Sequence, residues 1–311
     1  MKTRKEAVLL NNSEWQIINF AAGEGNRFVG DDCAVWDEKS LVVTTDHFCE
    51  GVHFDLSFMP AEAVGWRLMA ANASDVISMG SRPTHFLLNA AIPHGREETA
   101  LQILTGVKRF AGKYGISVMG GDTSGAERFA FGVTMFGEKP EKPLLRSGAK
   151  PGDRVFIASK VGLSLCGYKA LKQGSEGYER SKERFLYPDP FVNMPESLEK
   201  ISGAAIDVSD SLLSELRLLC DASNVSMEID FDRIPVDEEL LKGSVEFGIP
   251  LERLLLGSGE EFVLLFTSDS CHDDAFEIGR VTERGSLDVS LFSKNGRLSP
   301  DDIRIFSHFD G

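Results

Sequence analysis

Residues that break helices and strands are concentrated in one segment near the middle of the chain. Between residues 137 and 153 the sequence contains Pro140, Pro143, Gly148, Pro151 and Gly152. Proline fixes φ and has no amide proton to donate, so neither a helix nor a central strand of a sheet can continue through the segment. Strand and helix patterns alternate on both sides of it. The sequence therefore predicts two α+β domains, over residues 1–145 and 146–311.

The charge balance of the chain restricts its partners. Its 311 residues include 48 Asp and Glu but only 33 Lys and Arg, a formal net charge of −15. A surface of this sign repels nucleic acid and anionic lipid, so we expect neither a nucleic-acid partner nor a membrane partner. No stretch approaches the roughly 18 uncharged apolar residues that a membrane-spanning helix requires. An anionic substrate would need a cation to bind it, and a divalent metal ion is the expected one.

The cysteines and the N-terminal residues indicate where the protein works. The five cysteines are odd in number, far apart and never form a C-x-x-C pair, which is typical of free thiols in a reducing compartment. Only residues 7–10 form an apolar run near the N-terminus, too short for the core of a signal peptide. We therefore expect a cytoplasmic protein.

Hydrophobic periodicity predicts the order of the elements. Strands are expected at residues 41–45, 84–92, 116–119, 129–136, 154–158, 204–206, 225–231 and 262–267. Helices are expected at residues 60–79, 97–114, 191–201 and 210–223, whereas residues 174–190 have the composition of a loop. The C-terminal residues 276–306 are typical of short strands joined by glycine turns.

Common phosphate-binding and nucleophile motifs are missing or incomplete. No G-x-x-x-x-G-K-[ST] loop occurs, and Phe28 stands where a dinucleotide fingerprint starting at Gly23 needs its third glycine. Gly162-Leu-Ser-Leu-Cys166 differs by one residue from the G-x-S-x-G nucleophile elbow, and we interpret it as a tight helix start. None of these motifs therefore indicates the chemistry of the chain.

The strongest chemical signal is a set of aspartates, most of which lie at the ends of predicted elements. Each follows a glycine turn, ends a hydrophobic strand, lies inside an apolar helix or stands at a strand-to-helix junction; they are Asp31, Asp32, Asp46, Asp75, Asp122, Asp207 and Asp210. Carboxylates at neighbouring strand ends converge when the strands lie side by side in one sheet. With threonine hydroxyls beside them, such oxygen ligands suit Mg²⁺, which prefers a few carboxylates together with phosphates and water.

Asp75 is the aspartate that a purely structural role explains least. Its neighbours in the predicted helix 60–79 are mostly apolar, and Asn72 lies three residues earlier on the same face. A carboxylate in such surroundings is costly to bury unless a cation meets it. The other aspartates keep an alternative role as turn residues (Asp31, Asp32, Asp122) or helix caps (Asp207, Asp210).

A set of longer motifs resembles one enzyme family. They are Gly30-Asp-Asp-Cys-Ala34, Thr44-Thr-Asp46, Glu50-Gly-Val-His-Phe54, Asn72-Ala-Ser-Asp75, Met79-Gly80, Gly120-Gly-Asp-Thr123, Leu145-Arg-Ser-Gly-Ala-Lys-Pro-Gly-Asp153 and Ile206-Asp-Val-Ser-Asp210. In sequence and spacing they resemble the thiamine-monophosphate kinases, which belong to the superfamily of aminoimidazole ribonucleotide synthetase and selenophosphate synthetase. The resemblance extends from about residue 30 to the C-terminal end.

The resemblance implies a fold, a reaction and an assembly. The family fold is α+β, with an N-terminal domain that dimerises through its sheet, a C-terminal domain, and a site in the cleft between them. The implied reaction is direct transfer of the ATP γ-phosphate to thiamine monophosphate, which gives thiamine diphosphate and ADP with several Mg²⁺ ions as cofactors. ATP, thiamine monophosphate and a second copy of the chain are the partners that it implies.

The resemblance also assigns residues. The metal ligands would be Asp32, Thr44, Thr45, Asp46, Asp75, Asp122, Asp207 and Asp210, of which Asp46, Asp75, Asp122 and Asp210 are the expected catalytic residues. ATP would contact Gly121, Asp122, Arg146 and Ser209, and the substrate would contact His53 and Glu260. Arg146 can supply a fixed fork of donors for a phosphate. The alternatives are a surface ion pair for Arg146 and a core position for His53.

Three places depart from the family pattern. Ser211 replaces a glycine, Val263 replaces a glutamate in the segment Ser258-Gly-Glu-Glu-Phe-Val-Leu264, and Ile303 stands near a tryptophan that stacks on the substrate. Phe306 and Phe309 could substitute for that tryptophan. The departures gather on the thiamine side, so two alternatives stay open: a kinase for another phosphorylated metabolite, and a non-catalytic sensor of Mg-ATP.

Overall fold

Two β-sheets with accompanying helices account for the regular structure of residues 17, 20–23, 26–191, 198–300 and 303, which are those that the computed structural model describes. The strands of one sheet lie between residues 34 and 138, and those of the other lie between residues 154 and 298. The expected α+β class is therefore confirmed. The domain boundary at residue 145 stays a prediction, and it falls between the two sheets in sequence.

The first sheet has five strands and two long helices. In chain order its elements are β1 (Ala34–Trp36), β2 (Leu41–Cys49), α1 (Ala61–Ser78), β3 (Pro83–Pro93), α2 (Glu97–Tyr114), β4 (Ser117–Ala126) and β5 (Ala130–Glu138). The strands lie in the order β1-β2-β5-β3-β4. Neighbouring strands are antiparallel except β3 and β4, which are parallel. Helix α1 packs against β2 and β5 and also against α2.

Helix α1 is covered by protein along most of its length. It begins directly after Pro60, which has a fixed φ and no amide proton, and it is followed by Gly80 with a φ of +74°. Apolar residues occur on all of its faces, so most of its side chains are buried, including those of Asn72 and Ser74. The helix thus carries polar groups into the interior, where each of them needs a partner.

The second sheet has seven strands and five helices among the described residues. In chain order its elements are β6 (Arg154–Ile157), α3 (Leu163–Gln173), α4 (Glu179–Leu186), β7 (Ala205–Asp207), α5 (Leu212–Ser223), β8 (Ser226–Asp230), α6 (Glu238–Glu246), α7 (Leu251–Gly257), β9 (Leu264–Ser268), β10 (Phe276–Thr282), β11 (Val289–Ser293) and β12 (Gly296–Leu298). The strands lie in the order β12-β11-β8-β10-β6-β9-β7. Among the described residues of this sheet, β8 and β11 are parallel and all other neighbouring strands are antiparallel.

One expected loop contains a helix. The prediction for residues 174–190 is wrong over Glu179–Leu186, which form α4. Only Ser181 and Phe185 of this helix are buried, so its sequence has too few apolar residues to show a helical period.

Two other segments differ from expectation in length. The strand expected at residues 116–119 continues through two glycines to Ala126 as β4, because parallel pairing with β3 satisfies its backbone. Of the helix expected at residues 191–201, the structure shows a 3₁₀ turn at Leu198–Lys200, and residues 192–197 lie outside the described residues.

The first hydrophobic core is completed by residues from the second half of the chain. Phe185 from α4 and Phe262 are buried among the side chains of α1, α2 and the first sheet. A second core lies around β6, β8, β9 and α5 and contains only residues that follow position 148. The first half of the chain therefore shares its core with apolar side chains from beyond the predicted boundary.

The cysteines have the expected state. All five are free thiols, and Cys33, Cys166 and Cys220 are buried. Across the ranges that the structure covers, no helix combines the length and the apolar character needed to cross a membrane.

The contact between α1 and α2 gives a test of the packing. A Cβ atom on Gly106 would lie 1.9 Å from the carbonyl oxygen of Glu62, and one on Gly65 would lie 1.9 Å from that of Ile103. We expect Gly106→Ala to lower the free energy of unfolding by about 2–3 kcal/mol, because the two helices must move apart. Urea denaturation followed by circular dichroism measures this change.

Gly112→Ala is the matched control in the same helix. A Cβ atom at Gly112 meets nothing within 4 Å. This substitution should therefore stabilise the protein by about 0.5–1 kcal/mol, through higher helix propensity alone. Equal unfolding free energies for the two variants would contradict the helix contact described.

Candidate active site

On one side, α1 contacts the strand that precedes it. The Asp75 Oδ2 atom accepts a hydrogen bond of 2.6 Å from Thr44 Oγ1, and Asn72 Oδ1 accepts one of 3.1 Å from the backbone amide of Asp46. The side-chain amide of Asn72 also donates to Leu68 O at 2.8 Å, which fixes its orientation. Side chains alternate between the two faces of a strand, so Thr44 and Asp46 share the face of β2 that meets α1.

On its other side, α1 contacts the second sheet and the loop before β1. Ser74 Oγ donates to Asp207 Oδ2 at 2.7 Å, at the end of β7. Ser78, one turn further along α1, donates to Asp32 Oδ2. The backbone amide of Asp207 lies 3.3 Å from the same Asp32 oxygen. Helix α1 therefore gathers carboxylates from separate parts of the chain.

The gathered carboxylates repel one another in buried surroundings. Burial raises the pKa of Asp75 well above its ordinary range, and the nearby charges of Asp46, Asp207 and Asp32 raise it further. Burial, followed by the charge of Asp32, raises the pKa of Asp207 to about 8. Such carboxylates retain protons near neutral pH unless a bound cation displaces those protons. We call Asp32, Asp46, Asp75 and Asp207 the aspartate cluster.

The aspartate cluster has the donor chemistry of a hard divalent cation. Its carboxylate oxygens, with the Thr44 hydroxyl, are oxygen ligands only. Within the residues that the structure describes, no three acidic, histidine or cysteine side chains already enclose one metal position. This arrangement still suits Mg²⁺, which commonly takes one or two carboxylates and completes its coordination with water and substrate phosphates. The residues present therefore fit such ions.

Thr45 and Asp122 are not brought to the cluster within a single chain. The Thr45 side chain lies on the opposite face of β2 from Thr44 and donates to Val133 O at 3.0 Å. Gly121 and Asp122 lie on β4, which β5 and β3 separate from β2. With about 4.8 Å between neighbouring strands, Asp122 lies about 14 Å from β2.

Arg146 lies at the cluster. Its Nε and Nη2 atoms are 2.9 and 2.5 Å from Asp32 Oδ1, and its backbone amide donates to Asp31 Oδ1 at 2.8 Å. The Asp32 side chain is almost fully buried and that of Arg146 is largely so. The alternative of a surface ion pair for Arg146 is therefore wrong. Of the two neighbouring aspartates, Asp32 joins the cluster and Asp31 holds the backbone of Arg146.

His53 is half-buried in the loop after β2. Its Nδ1 atom accepts a hydrogen bond of 3.0 Å from the amide of Cys49, and its ring stacks on Phe48 with 5.2 Å between ring centroids. A neutral imidazole whose Nδ1 accepts a hydrogen bond carries its proton on Nε2. The ring can therefore donate to an anion through Nε2.

Ser209, Asp210 and Glu260 lie on two adjoining loops beyond β7. The amide of Glu260 donates to Ser209 O at 2.5 Å, which holds the two loops together. The amide of Asp210 donates to the buried Glu215 at 3.1 Å. Burial raises the pKa of Glu215 well above its ordinary range, and the charges of Asp210 and Asp207 raise it further. Asp210, although exposed, is thus electrostatically linked to the cluster.

Known proteins resemble this chain along most of its length. Residues 30–138 match the family described as AIR synthase related protein, N-terminal domain. The chain is 35% identical to the thiamine-monophosphate kinase of Aquifex aeolicus over 270 residues, which cover 83% of this chain and 87% of that protein. It is 31% identical to the thiamine-monophosphate kinase of Leptospira interrogans, with 98% of this chain and 100% of that protein covered.

The chain belongs to the thiamine-monophosphate kinase family. The expected family membership is confirmed. A solved structure described as AaThiL complexed with AMPPCP and TMP superposes on this chain with a TM-score of 0.82 and 29% identity, and 99% of each chain is covered. The aspartate cluster thus lies in a fold that this family shares.

The differences from the family pattern have structural explanations here. Ser211 is the N-cap of α5, where its hydroxyl accepts from the amide of Ser214 at 3.1 Å. Val263 is fully buried in the second core, and Ile303 packs against the same core. Phe306 and Phe309 lie outside the described residues. Where the family pattern has a glutamate, this chain therefore has a core residue.

Several members of the site carry weak sequence signals. Ser74 and Ser78 bind cluster carboxylates, and Glu215 lies beside Asp210. Two serines one turn apart in an apolar helix, next to Asp75, are a signal that could have indicated the first two. In the sequence Glu215 looks like an ordinary residue of a helix. Only its burial in the structure shows that it belongs to the site.

Metal binding should release protons from the aspartate cluster. The pKa values of Asp75 and Asp207 are raised in the metal-free protein, so these carboxylates are partly protonated near neutral pH. Mg²⁺ requires their charged form, so its affinity should rise as the pH increases through about 8, where Asp207 loses its proton in the metal-free protein. Titration calorimetry in two buffers with different ionisation enthalpies measures the number of protons released.

Two variants control this measurement. Asp207→Asn removes one titrating group and should reduce the proton release. Glu62→Gln changes a carboxylate of α1 that pairs with Arg109 outside the cluster, so it should leave the release unchanged. Binding heats that do not depend on the buffer would show that the carboxylates are already charged without metal.

Proposed function

We propose that the chain transfers the γ-phosphate of ATP directly to thiamine monophosphate, with thiamine diphosphate and ADP as products and Mg²⁺ ions held by the aspartate cluster. The observation that carries this proposal is the gathering of Asp32, Asp46, Asp75 and Asp207 around one helix, where burial and the neighbouring charges raise the pKa values of Asp75 and Asp207. A purely structural role seldom assembles like charges in this way. The family membership and the solved relative described with AMPPCP and TMP give further support.

The proposed roles follow from charge. Both substrates are anionic, and an in-line transfer requires their phosphates to approach with the attacking and leaving oxygens aligned. Bound Mg²⁺ supplies neutralisation of these charges and polarises the phosphoryl oxygens. Asp46 and Asp75 would hold the ions on the side of β2, and Asp32 and Asp207 would hold them on the side of β7. Arg146 would donate to a nucleotide phosphate from its place beside Asp32.

The acceptor needs no general base in this site. A phosphate monoester has a second pKa near 6 and is largely dianionic at neutral pH, so it can attack without losing a proton. A free alcohol would need a base within hydrogen-bond reach. The Nδ1 atom of His53 already accepts from Cys49, so the ring would bind the substrate phosphate as a donor and would not remove a proton. Glu260 would contact the remainder of the acceptor.

The proposal includes a homodimer formed through β4. All 10 residues of this edge strand are exposed, including the apolar Val118 and Met119. An uncovered edge of this length is a template for pairing with another chain. We place Gly121 and Asp122, which would contact the ATP phosphates, at the resulting interface. Asp122 would therefore act where two copies meet.

A comparison of two acceptors tests the proposed reaction. The protein is incubated with Mg-ATP and either thiamine monophosphate or thiamine at equal concentration, and ADP and phosphorylated products are followed by mass spectrometry. We expect product from thiamine monophosphate only, because thiamine presents an alcohol without a base to activate it. Asp75→Asn should reduce the rate at least roughly 100-fold with the fold intact, since it removes a charge that holds Mg²⁺.

Each other outcome points to a different conclusion. Comparable rates with both acceptors would mean that the site contains a general base. No product with either acceptor, but phosphorylation of another phosphorylated metabolite, would favour a kinase with a different substrate. Binding of Mg-ATP without any turnover would favour a sensor.

Sedimentation tests the assembly. At low micromolar concentration the protein should sediment with about twice the chain mass of 34.1 kDa. Met119→Glu places a charge on the exposed edge of β4 and should shift the protein towards monomer. Val245→Glu, which changes an exposed apolar residue on α6, should leave the dimer intact. A wild-type monomer would contradict the proposed assembly.

A further inference from the structure

Arg67 is a fully buried arginine in the middle of α1. Its side chain has 0% relative exposure, and its neighbours in the helix are apolar or small. A guanidinium group cannot lose its charge in a protein, so burying it is costly unless acceptors and an opposite charge surround it. The contacts of Arg67 should therefore show what it does.

These contacts lie in the second half of the chain. Nη1 donates to the carbonyl oxygen of Phe185 in the last turn of α4, where helix carbonyls lack intrahelical partners. The guanidinium lies over the ring of the same residue, 4.2 Å from its centroid. Nη2 lies 2.5 Å from Glu260 Oε2. Neither Nε nor Nη2 has a hydrogen-bond partner in the described part of the chain. The contact of Nη2 with Glu260 is therefore a close ion pair without hydrogen-bond geometry, and Arg67 is not the centre of a complete structural network.

Glu260, the partner in this ion pair, has a strained backbone. Its φ is +53°, in the left-handed region that side chains other than glycine rarely adopt. Such strain persists only where the surroundings hold the residue in place, and it is common at functional sites. Here the Glu260 amide donates to Ser209 O, and Oε2 forms an ion pair with Arg67. The side chain keeps 36% of its surface exposed, so a ligand can reach part of it.

The neighbouring residue Phe262 anchors the same segment. It also has a left-handed φ, of +49°, and its ring is buried in the first core close to α1. Several contacts therefore hold the segment around Glu260, among them those of Ser209, Phe262 and Arg67. Of these, only Arg67 acts on the carboxylate itself.

We propose that Arg67 is a positioning residue that fixes the Glu260 carboxylate for the acceptor substrate. This inference rests on the proposed function, because it assigns Glu260 to the acceptor side of the site. Arg67 holds Oε2 and neutralises the charge of Glu260. The subsite is then suited to an N–H or O–H donor of the acceptor molecule and not to a second cation.

Steady-state kinetics of Arg67 variants test the proposal. Arg67→Met removes the guanidinium and keeps an unbranched side chain. We expect the KM for thiamine monophosphate to rise about 10-fold, while the KM for ATP stays within about twofold. Arg67→Lys keeps the charge but cannot reach Phe185 O and Glu260 at once, so its KM should lie between those of the wild type and Arg67→Met. An unchanged acceptor KM in Arg67→Met would overturn the proposal.

Arg184→Met is the matched control. Arg184 lies next to Phe185 on α4 and contacts the same loop through Glu261 O, at 3.3 Å, without touching the Glu260 carboxylate. Its loss should weaken the attachment of the loop and leave the acceptor KM near the wild-type value. An equal rise in both variants would mean that Arg67 only attaches the loop, and this would also overturn the proposal.

A double variant shows whether Arg67 acts through Glu260. Glu260→Gln should raise the acceptor KM, because it removes the carboxylate that Arg67 positions and with it the ion pair. If the proposal is correct, Arg67→Met adds nothing further when Glu260→Gln is already present. Additive increases would mean that Arg67 affects the acceptor by another route, which contradicts the proposal.

Hydrogen exchange separates this inference from the proposed function. The Glu260 amide should exchange faster in Arg67→Met than in the wild type or in Arg184→Met, and this readout needs no turnover. A wild-type protein that fails to phosphorylate thiamine monophosphate would refute the proposed function, while exchange would still test the positioning. An active wild type with unchanged exchange and unchanged KM in Arg67→Met would refute the inference alone.

Discussion

Polar groups that lie inside a covered helix must find partners, and this requirement arranges the structure around α1. The helix has apolar residues on all faces, yet it carries Asn72, Ser74 and Ser78 into the interior, with the half-buried Asp75 beside them. Those groups take their partners from β2, from β7 and from the loop before β1. The site is therefore a consequence of the burial of α1, and both sheets contribute to it because neither alone could satisfy these groups.

Local sequence context predicted the parts of the site that are visible one element at a time. Asp75 stands out because its helical neighbours are apolar, and the other aspartates stand out because they end strands. Pairing between distant elements carries no such signal. The hydrogen bond of Ser74 to Asp207 and the ion pair of Arg67 with Glu260 depend on how the two halves meet. The fold class was predictable because each strand or helix shows its own local periodicity. Helix α4 was not predictable, since its charged sequence hides its few buried residues.

The strand geometry explains which expected ligands meet. Alternation along β2 turns Thr44 towards α1 and Thr45 away from it, so two adjacent hydroxyls have different surroundings. The order of strands in the sheet places Gly121 and Asp122 on the outer strand β4, far from the aspartate cluster. Spacing in the sequence cannot give this information, because the order of strands in a sheet is set by the topology and not by their order in the chain.

The participation of Phe185 and Phe262 in the first core has a consequence for how the protein melts. A chain with two sheets could lose its structure in two steps, one for each half. Here the first core is incomplete without side chains from the second half, so partial unfolding of the second half would expose the first core to water. We expect the two halves to melt in one cooperative transition, and a ligand bound between them would raise the midpoint of the whole transition.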